Sequence, residues 1–394
     1  MTSVEIAPAR RTSAAEAAPA ARGLVAKLTL HVDFASAAAD WAEAEAACDG
    51  SPYQSRRFCE GWLGTAGEGL SPLIAVARDE YGALTALLPL ARRRLGPLHA
   101  ATLIGDRAAN YQMGLFRDGA AWSKADVQRL LSAVAKAASP RVDVFTFIHQ
   151  PREWRGAPCP LAQLSPQPAP SQAYASALPP LFADWLDAHF SKATQKKLRK
   201  KAKKLEALGP VTCRRAEGAE EIARALDAFL EQKNARMRAK KLGGEFEQAS
   251  TVAMLRALSA PGGAYPALEW HVLQAGERIA AVWAGFAYRD RLSGLVLSFD
   301  ADPAVAAASP GEQLVIEVVR GAILRGFSSF DLGVGEARYK DECCEIAEPL
   351  VDSAYAASPL GALAAVGFLM KRRATAAVKR SPRLLALARK LRGA

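Results

Sequence analysis

The stretch that decides the fold runs from Leu295 to Lys340 and reads LVLSFDADPAVAAASPGEQLVIEVVRGAILRGFSSFDLGVGEARYK. Leu295 to Phe299 suits a strand. Gly311 opens an amphipathic helix with Leu314, Val315, Val318, Val319, Ile323 and Leu324 on one face, and Gly326 ends it. Ser329 to Gly333 is a second strand, and a turn hinged at Gly333 and Gly335 leads to Tyr339 and Lys340. A helix that opens on glycine offers free backbone N–H groups and a partial positive charge, which suits a phosphate or carboxylate. Ser298 or Ser309 would add a hydroxyl. The plainer reading is an ordinary capped helix between two strands.

Working outward, three hairpin-linked strands are expected before this stretch, at Leu268–Leu273, Arg278–Tyr288 and Arg291–Phe299. A long basic helix is expected from about Thr194 to Leu208, stopped by Gly209-Pro210. The first half repeats the order of helices, antiparallel strands, helix and strand. Its most evident pieces are Ser71–Arg78, Ala83–Ala91 and Val142–Ile148 as strands, and Asp126–Ala138 as a helix. Pro151 to Pro180 carries eight prolines and reads as extended connection. The expected organisation is therefore a leader at 1–22 without order, a first domain at 23–175, a second at 176–357, and a basic amphipathic tail at 358–394. The fold class is α+β (mixed α/β), each domain a mostly antiparallel sheet flanked by helices.

Composition narrows the chemistry. With 394 residues, 50% apolar and 23% charged, the chain has a globular balance and room for more than one domain. Its net charge is +11, and nine of the cations lie after Ser358 in a stretch free of acids. A second cationic block runs from Lys192 to Lys204. Charge so localised points to phosphates, anionic lipid or another acidic partner. The six cysteines fit neither a disulfide framework nor a zinc spacing and read as thiols of a cytosolic chain. The five histidines lie far apart with no H-E-x-x-H, so a metal is not expected. A phosphate-binding G-x-x-x-x-G-K-[ST] loop, a dinucleotide G-x-G-x-x-G and a G-x-S-x-G elbow are all missing. Such absences favour an enzyme that aligns two substrates, or a protein without catalysis.

The second half resembles the Gcn5-related N-acyltransferase (GNAT) superfamily, and within it the branch named for cellulose biosynthesis (CelD/BcsL type). The resemblance rests on Ser51-Pro-Tyr-Gln-Ser55, Leu87-Leu-Pro-Leu90, Gly105-Asp106 and Asn110-Tyr111 in the first half. In the second half it rests on Leu198–Glu206, Ser309-Pro-Gly311, Phe330-Asp-Leu-Gly333 and Tyr339-Lys340. It implies two tandem GNAT-like domains, the second catalytic, moving an acyl group from acetyl-CoA or another acyl-CoA to an amine. The acceptor would be a small molecule or glycan, such as an amino sugar linked to surface polysaccharide.

On this resemblance Tyr339 is the acid for the departing thiolate, and Asp331 or Asp300 is the base. Ser298, Phe299, Ser309, Gly311 and Lys340 bind the donor. Lys233 and Arg236, three apart on one helix, are candidates to face the acceptor, together with Asn110 and Tyr111. The loop Ala308–Gln313 departs from the superfamily's usual [Q/R]-x-x-G-x-[G/A] pyrophosphate pattern. Two further readings follow: a Fem-like transferase that takes an aminoacyl group from tRNA, and a non-catalytic accessory protein of a polysaccharide-synthesis system. Other nucleic acid is not expected, because the basic helix lacks interleaved aromatics. The tail combines the apolar stretch Leu360–Met370, only about 16 Å long as a helix, with clustered cations. It is expected to attach a cytoplasmic protein peripherally to the inner membrane surface, or else to lie on the protein's own body.

Overall fold

The strands Ser71–Arg78 and Leu84–Leu95 pair antiparallel, and their apolar runs Leu73–Ala77 and Leu84–Ala91 are buried on both faces. One face of their sheet takes Trp41, Phe58 and Trp62 from the helices Ala38–Ala47 and Arg56–Ala66. The other takes Leu130, Leu131 and Val134 from the helix Lys124–Ala137. A computed structural model describes residues 23–117, 120–241, 244–260 and 267–381 of the chain. The expected leader at 1–22 and the tail beyond Ser381 lie outside these residues.

Among the described residues there are two large sheets. The first runs in the order Lys27–His31, Ser71–Arg78, Leu84–Leu95, Leu98–Leu103, Val144–Pro151, Leu350–Ala356 and Gln167–Pro168. The second runs Val211–Arg215, Leu268–Ala275, Arg278–Tyr288, Arg291–Phe299, Ser329–Val334, Ala173–Ala177 and Ile346–Glu348. Helices Gly218–Ala239 and Ala249–Ser259 cover one face of it through Leu226, Phe229, Leu255 and Leu258. Helix Pro310–Leu324 covers the other through Leu314, Val315, Val318 and Val319. The mixed α/β architecture with two sheet-and-helix units and a C-terminal helix is thus as the sequence suggests.

The boundaries differ from expectation. The strand Leu350–Ala356, placed by its position in the second domain, pairs with Val144–Pro151 and completes the first sheet. In return, Ala173–Ala177, drawn from the proline-rich connection, pairs with both Ser329–Val334 and Ile346–Glu348 in the second. Chain order cannot reveal such an exchange, because an apolar strand carries no mark of which sheet it joins. The two units also share one core. Tyr53 and Phe58 of the first stand edge-on to Phe286 of the second, with ring centroids 5.9 and 6.0 Å apart. Gly61 lets helix Arg56–Ala66 approach Leu258, where an added Cβ would stand 3.1 Å from Leu258 Cδ2.

Candidate active site: a fork between two parallel strands

The strands Arg291–Phe299 and Ser329–Val334 pair in parallel over three rungs only, from Arg291↔Ser329 to Ser293↔Asp331. Beyond that the first strand continues to Phe299, still paired with Arg278–Tyr288 on its far side. Its other edge opens. Asn110, from the first unit, sits in the fork. Its Nδ2 donates to the Gly294 carbonyl (2.9 Å) and to the Tyr53 hydroxyl (2.7 Å), and its Oδ1 accepts from the Val334 N–H (3.1 Å). The side-chain amide thereby stands in for a missing rung. Gly333 must be glycine here: its φ is +68°, and a Cβ would fall 2.1 Å from Asn110 Nδ2.

Past the fork lies a cleft of about 700 Å³. Leu297 and Phe299 form one wall, and the tip of helix Pro310–Leu324 with Ser309 and Gly311 forms another. Lys201, Lys233, Arg236, Lys240 and Arg338 supply positive charge; Glu312, Glu336 and Glu342 offset part of it. Gly311 allows the helix tip to lie close, since a Cβ there would stand 3.2 Å from the Phe299 ring. Arg236 lies over that ring at 4.6 Å from its centroid. The Lys233 ammonium reaches the Leu297 carbonyl at 3.4 Å, and its pKa is lowered by burial and then by the Arg236 charge. Lys201, from the basic helix, pairs with Glu312 at 3.2 Å.

The loop that leads into helix Pro310–Leu324 does not wrap a diphosphate. Ser309 holds a left-handed conformation (φ +52°), and its side chain caps no N–H. Pro310 has no N–H to give. The N–H groups of Ala306, Ala307, Ala308 and Ser309 bond to the carbonyls of Asp302, Pro303, Val305 and Ala306. Those of Glu312 and Gln313 both bond to Ser309. Every N–H from Ala306 to Gln313 other than that of Gly311 is therefore consumed within the chain. The residues present do not fit the backbone cradle that a coenzyme A pyrophosphate would need.

The structure gathers Phe299, Ser309, Gly311, Lys233, Arg236 and Tyr339 around this cleft. Tyr339 lies in the short helix Arg338–Cys343, not in an open turn, and burial raises its pKa above the ordinary phenol value. The other candidates lie elsewhere. Asp331 is fully buried under the fork, bonded by Arg291 Nε (2.8 Å), Ser293 Oγ (2.6 Å) and the Gly333 N–H (2.9 Å). Its position has no outlet for an acceptor amine. Asp300 pairs with Arg278 at 2.6 Å and faces a different surface groove; strand alternation puts it opposite Phe299. The Ser298 hydroxyl donates to Gln232 Oε1 (2.8 Å) and is buried.

Lys340 pins the end of its strand through the carbonyls of Gly333 (3.1 Å) and Val334 (3.0 Å), so it does not line the cleft. Burial lowers its pKa to about 8. Tyr111 is an anchor between the units: its buried hydroxyl bonds to Glu348 (2.6 Å) and Arg291 (3.0 Å). Lys201, Lys240 and Arg291 were not singled out by the sequence as site residues. Lys201 was visible only as one cation among eight in its block.

Residues 192–341 match the family model described as an acetyltransferase (GNAT) domain. This part of the chain has the fold of a GNAT domain, and it holds the forked strand pair and the helix tip. Among solved structures, the chain is similar to FemX at 10% identity, with 86% of this chain and 99% of that one covered and a TM-score of 0.58. It is also similar to a conserved protein of unknown function from Bacteroides thetaiotaomicron at 13% identity, with 83% and 99% covered and a TM-score of 0.51. Both likenesses extend over the two units together and concern the fold. No curated protein matches the sequence. Among the described residues no group of His, Cys, Asp and Glu is placed to hold a metal ion, and no helix is long and apolar enough to cross a membrane.

Proposed function

We propose that the chain is a GNAT-type transferase that moves an aminoacyl group from a charged tRNA to an amine acceptor, using the cleft beyond the fork. The observation that carries this reading is the pairing of a loop whose N–H groups are already consumed with a cleft wall of long cationic side chains. Such a wall suits a polyanionic donor held by mobile charges rather than by a backbone cradle. Lys201 links the cleft to the helix Lys192–Glu206, whose remaining lysines extend the positive surface outward. The two-unit likeness to FemX supports the same reading at the level of fold.

In this reading a neutral amine attacks the ester carbonyl. The open edge of Leu295–Phe299 stabilises the oxyanion: the Leu297 carbonyl faces Lys233, and a residue's N–H points to the same edge as its carbonyl. The ester C–O bond breaks as Tyr339, kept protonated by burial, donates to the leaving oxygen, and the proton lost by the amine returns to the Tyr339 oxygen through solvent. The second reading, transfer from an acyl-coenzyme A, is favoured by the description of the matching family model and by the Gly311 N–H at the helix tip. The CelD/BcsL-type resemblance alone supports an amine of a surface-polysaccharide precursor as acceptor.

Titration calorimetry with charged tRNA and with acetyl-coenzyme A tests the proposal. Charged tRNA is expected to bind, with Arg236→Ala weakening it about tenfold and added salt weakening it further. Binding of acetyl-coenzyme A alone would transfer the assignment to the second reading. If neither binds, a non-catalytic accessory role takes its place.

A further inference from the structure

The helix Pro359–Arg380 lies on the first sheet by its small residues. A Cβ on Gly361 would fall 1.9 Å from the Asp143 carbonyl oxygen. Ala365 packs with Leu98, Ala100 and Val144. Three polar contacts lock its rotation: Arg372 Nε to the fully buried Asp352 (2.5 Å), Gln167 Nε2 to the Leu369 carbonyl (2.8 Å), and Lys379 Nζ to Ser171 Oγ (2.6 Å). The helix therefore does lie on the protein's own body, and one defined face is turned outward.

That outer face is apolar in its first half. Leu360, Leu363, Val366 and Met370 are 43, 73, 56 and 65% exposed. Their spacing of three, three and four places them in one stripe about 15 Å long. The exposed cations Lys371, Arg373 and Arg380 follow, and the helix contains no Asp or Glu. Contiguous apolar exposure on this scale marks an interaction surface.

We propose that this face docks the protein on an anionic lipid surface, the stripe entering the head-group boundary and the cations meeting lipid phosphates. Charge decides the occupant. The helix of a second copy would offer these cations no carboxylate, since it holds no Asp or Glu, whereas an anionic membrane complements both halves of the face. The surface is separate from the donor cleft, so the inference stands independently of the proposed reaction.

Flotation of the full chain with vesicles tests it, comparing mixed phosphatidylglycerol–phosphatidylcholine with pure phosphatidylcholine. Binding is expected to the anionic vesicles and to weaken with salt. Leu363→Asp/Val366→Asp should reduce it at least tenfold with an unchanged melting curve, because both side chains are exposed. Lys371→Glu/Arg373→Glu should remove the preference for anionic over neutral vesicles. Equal flotation of wild type and the Leu363→Asp/Val366→Asp variant would overturn the proposal. So would an absence of vesicle binding together with a solution dimer that the same variant dissolves, which would assign the stripe to a second copy.

Discussion

Asn110 Nδ2 stands 2.9 Å from the carbonyl oxygen of Gly294, so a side chain of the first unit supplies the rung at which two strands of the second unit part. The same amide accepts from Val334 on the opposite strand. One residue thus bridges the opening of the cleft and joins the two halves of the chain.

Asn110→Ala leaves the Gly294 carbonyl and the Val334 N–H without this partner. An unpaired buried polar group costs about 1–3 kcal/mol, and chemical denaturation should show a loss of that order. Asn110→Asp should not restore stability, because a carboxylate cannot donate to Gly294. A stability equal to wild type in Asn110→Asp would show that the bridge does not hold the fork.

Asp331 and Arg291 form an ion pair in which the carboxylate is fully buried and the guanidinium side chain is 14% exposed. Burial opposes the Arg291 charge, yet Asp331, Tyr111 and Glu348 outweigh it and raise its pKa. Removing one partner of such a pair costs about 3–5 kcal/mol. Asp331→Ala should therefore lower the melting temperature sharply. Unchanged stability with lost turnover would restore Asp331 to a catalytic role.

Tyr339→Phe tests the acid. Its effect should fall on kcat, by about 10²-fold, with KM little changed. Because burial raises the phenol's pKa, the wild-type rate should show no loss from tyrosine ionisation between pH 7 and 9. An undiminished kcat in Tyr339→Phe would remove the residue from the mechanism.

Glu269 contributes to the acid limb of stability. Burial works against its charge, but the proximity of His271 (3.5 Å) and the two hydrogen bonds and charge of Arg325 hold the carboxyl at about 2, below its ordinary 4.5. A depressed carboxyl stabilises the fold above its unfolded pKa, and that stability is lost as pH falls from 4.5 towards 2. The contribution is about 3 kcal/mol at neutral pH. Glu269→Gln should flatten this part of the pH–stability curve. Parallel curves for the two proteins from pH 5 to 2.5 would refute the assignment.

Much of this molecule was legible in its residues. The period of the Leu314–Leu324 stripe, the glycine stops and the hairpin turns near Gly276 and Asp290 are local signals, and the elements stand where those signals put them. Tyr339, Phe299 and Gly311 line one cleft because a helix tip and a strand end adjoin in sequence as well as in space. Asp331 was misplaced because a carboxylate at a strand end looks alike in sequence whether it faces a cleft or an arginine forty residues away. The exchange of Leu350–Ala356 for Ala173–Ala177 and the seating of Asn110 in the fork were decided only by tertiary structure. Each depends on which surfaces meet, and backbone pairing reads no side-chain code that would name its partner. The sequence by itself determined the charge and most of the elements; only packing decided where the strands part, what stands between them, and which apolar residues of helix Pro359–Arg380 face outward.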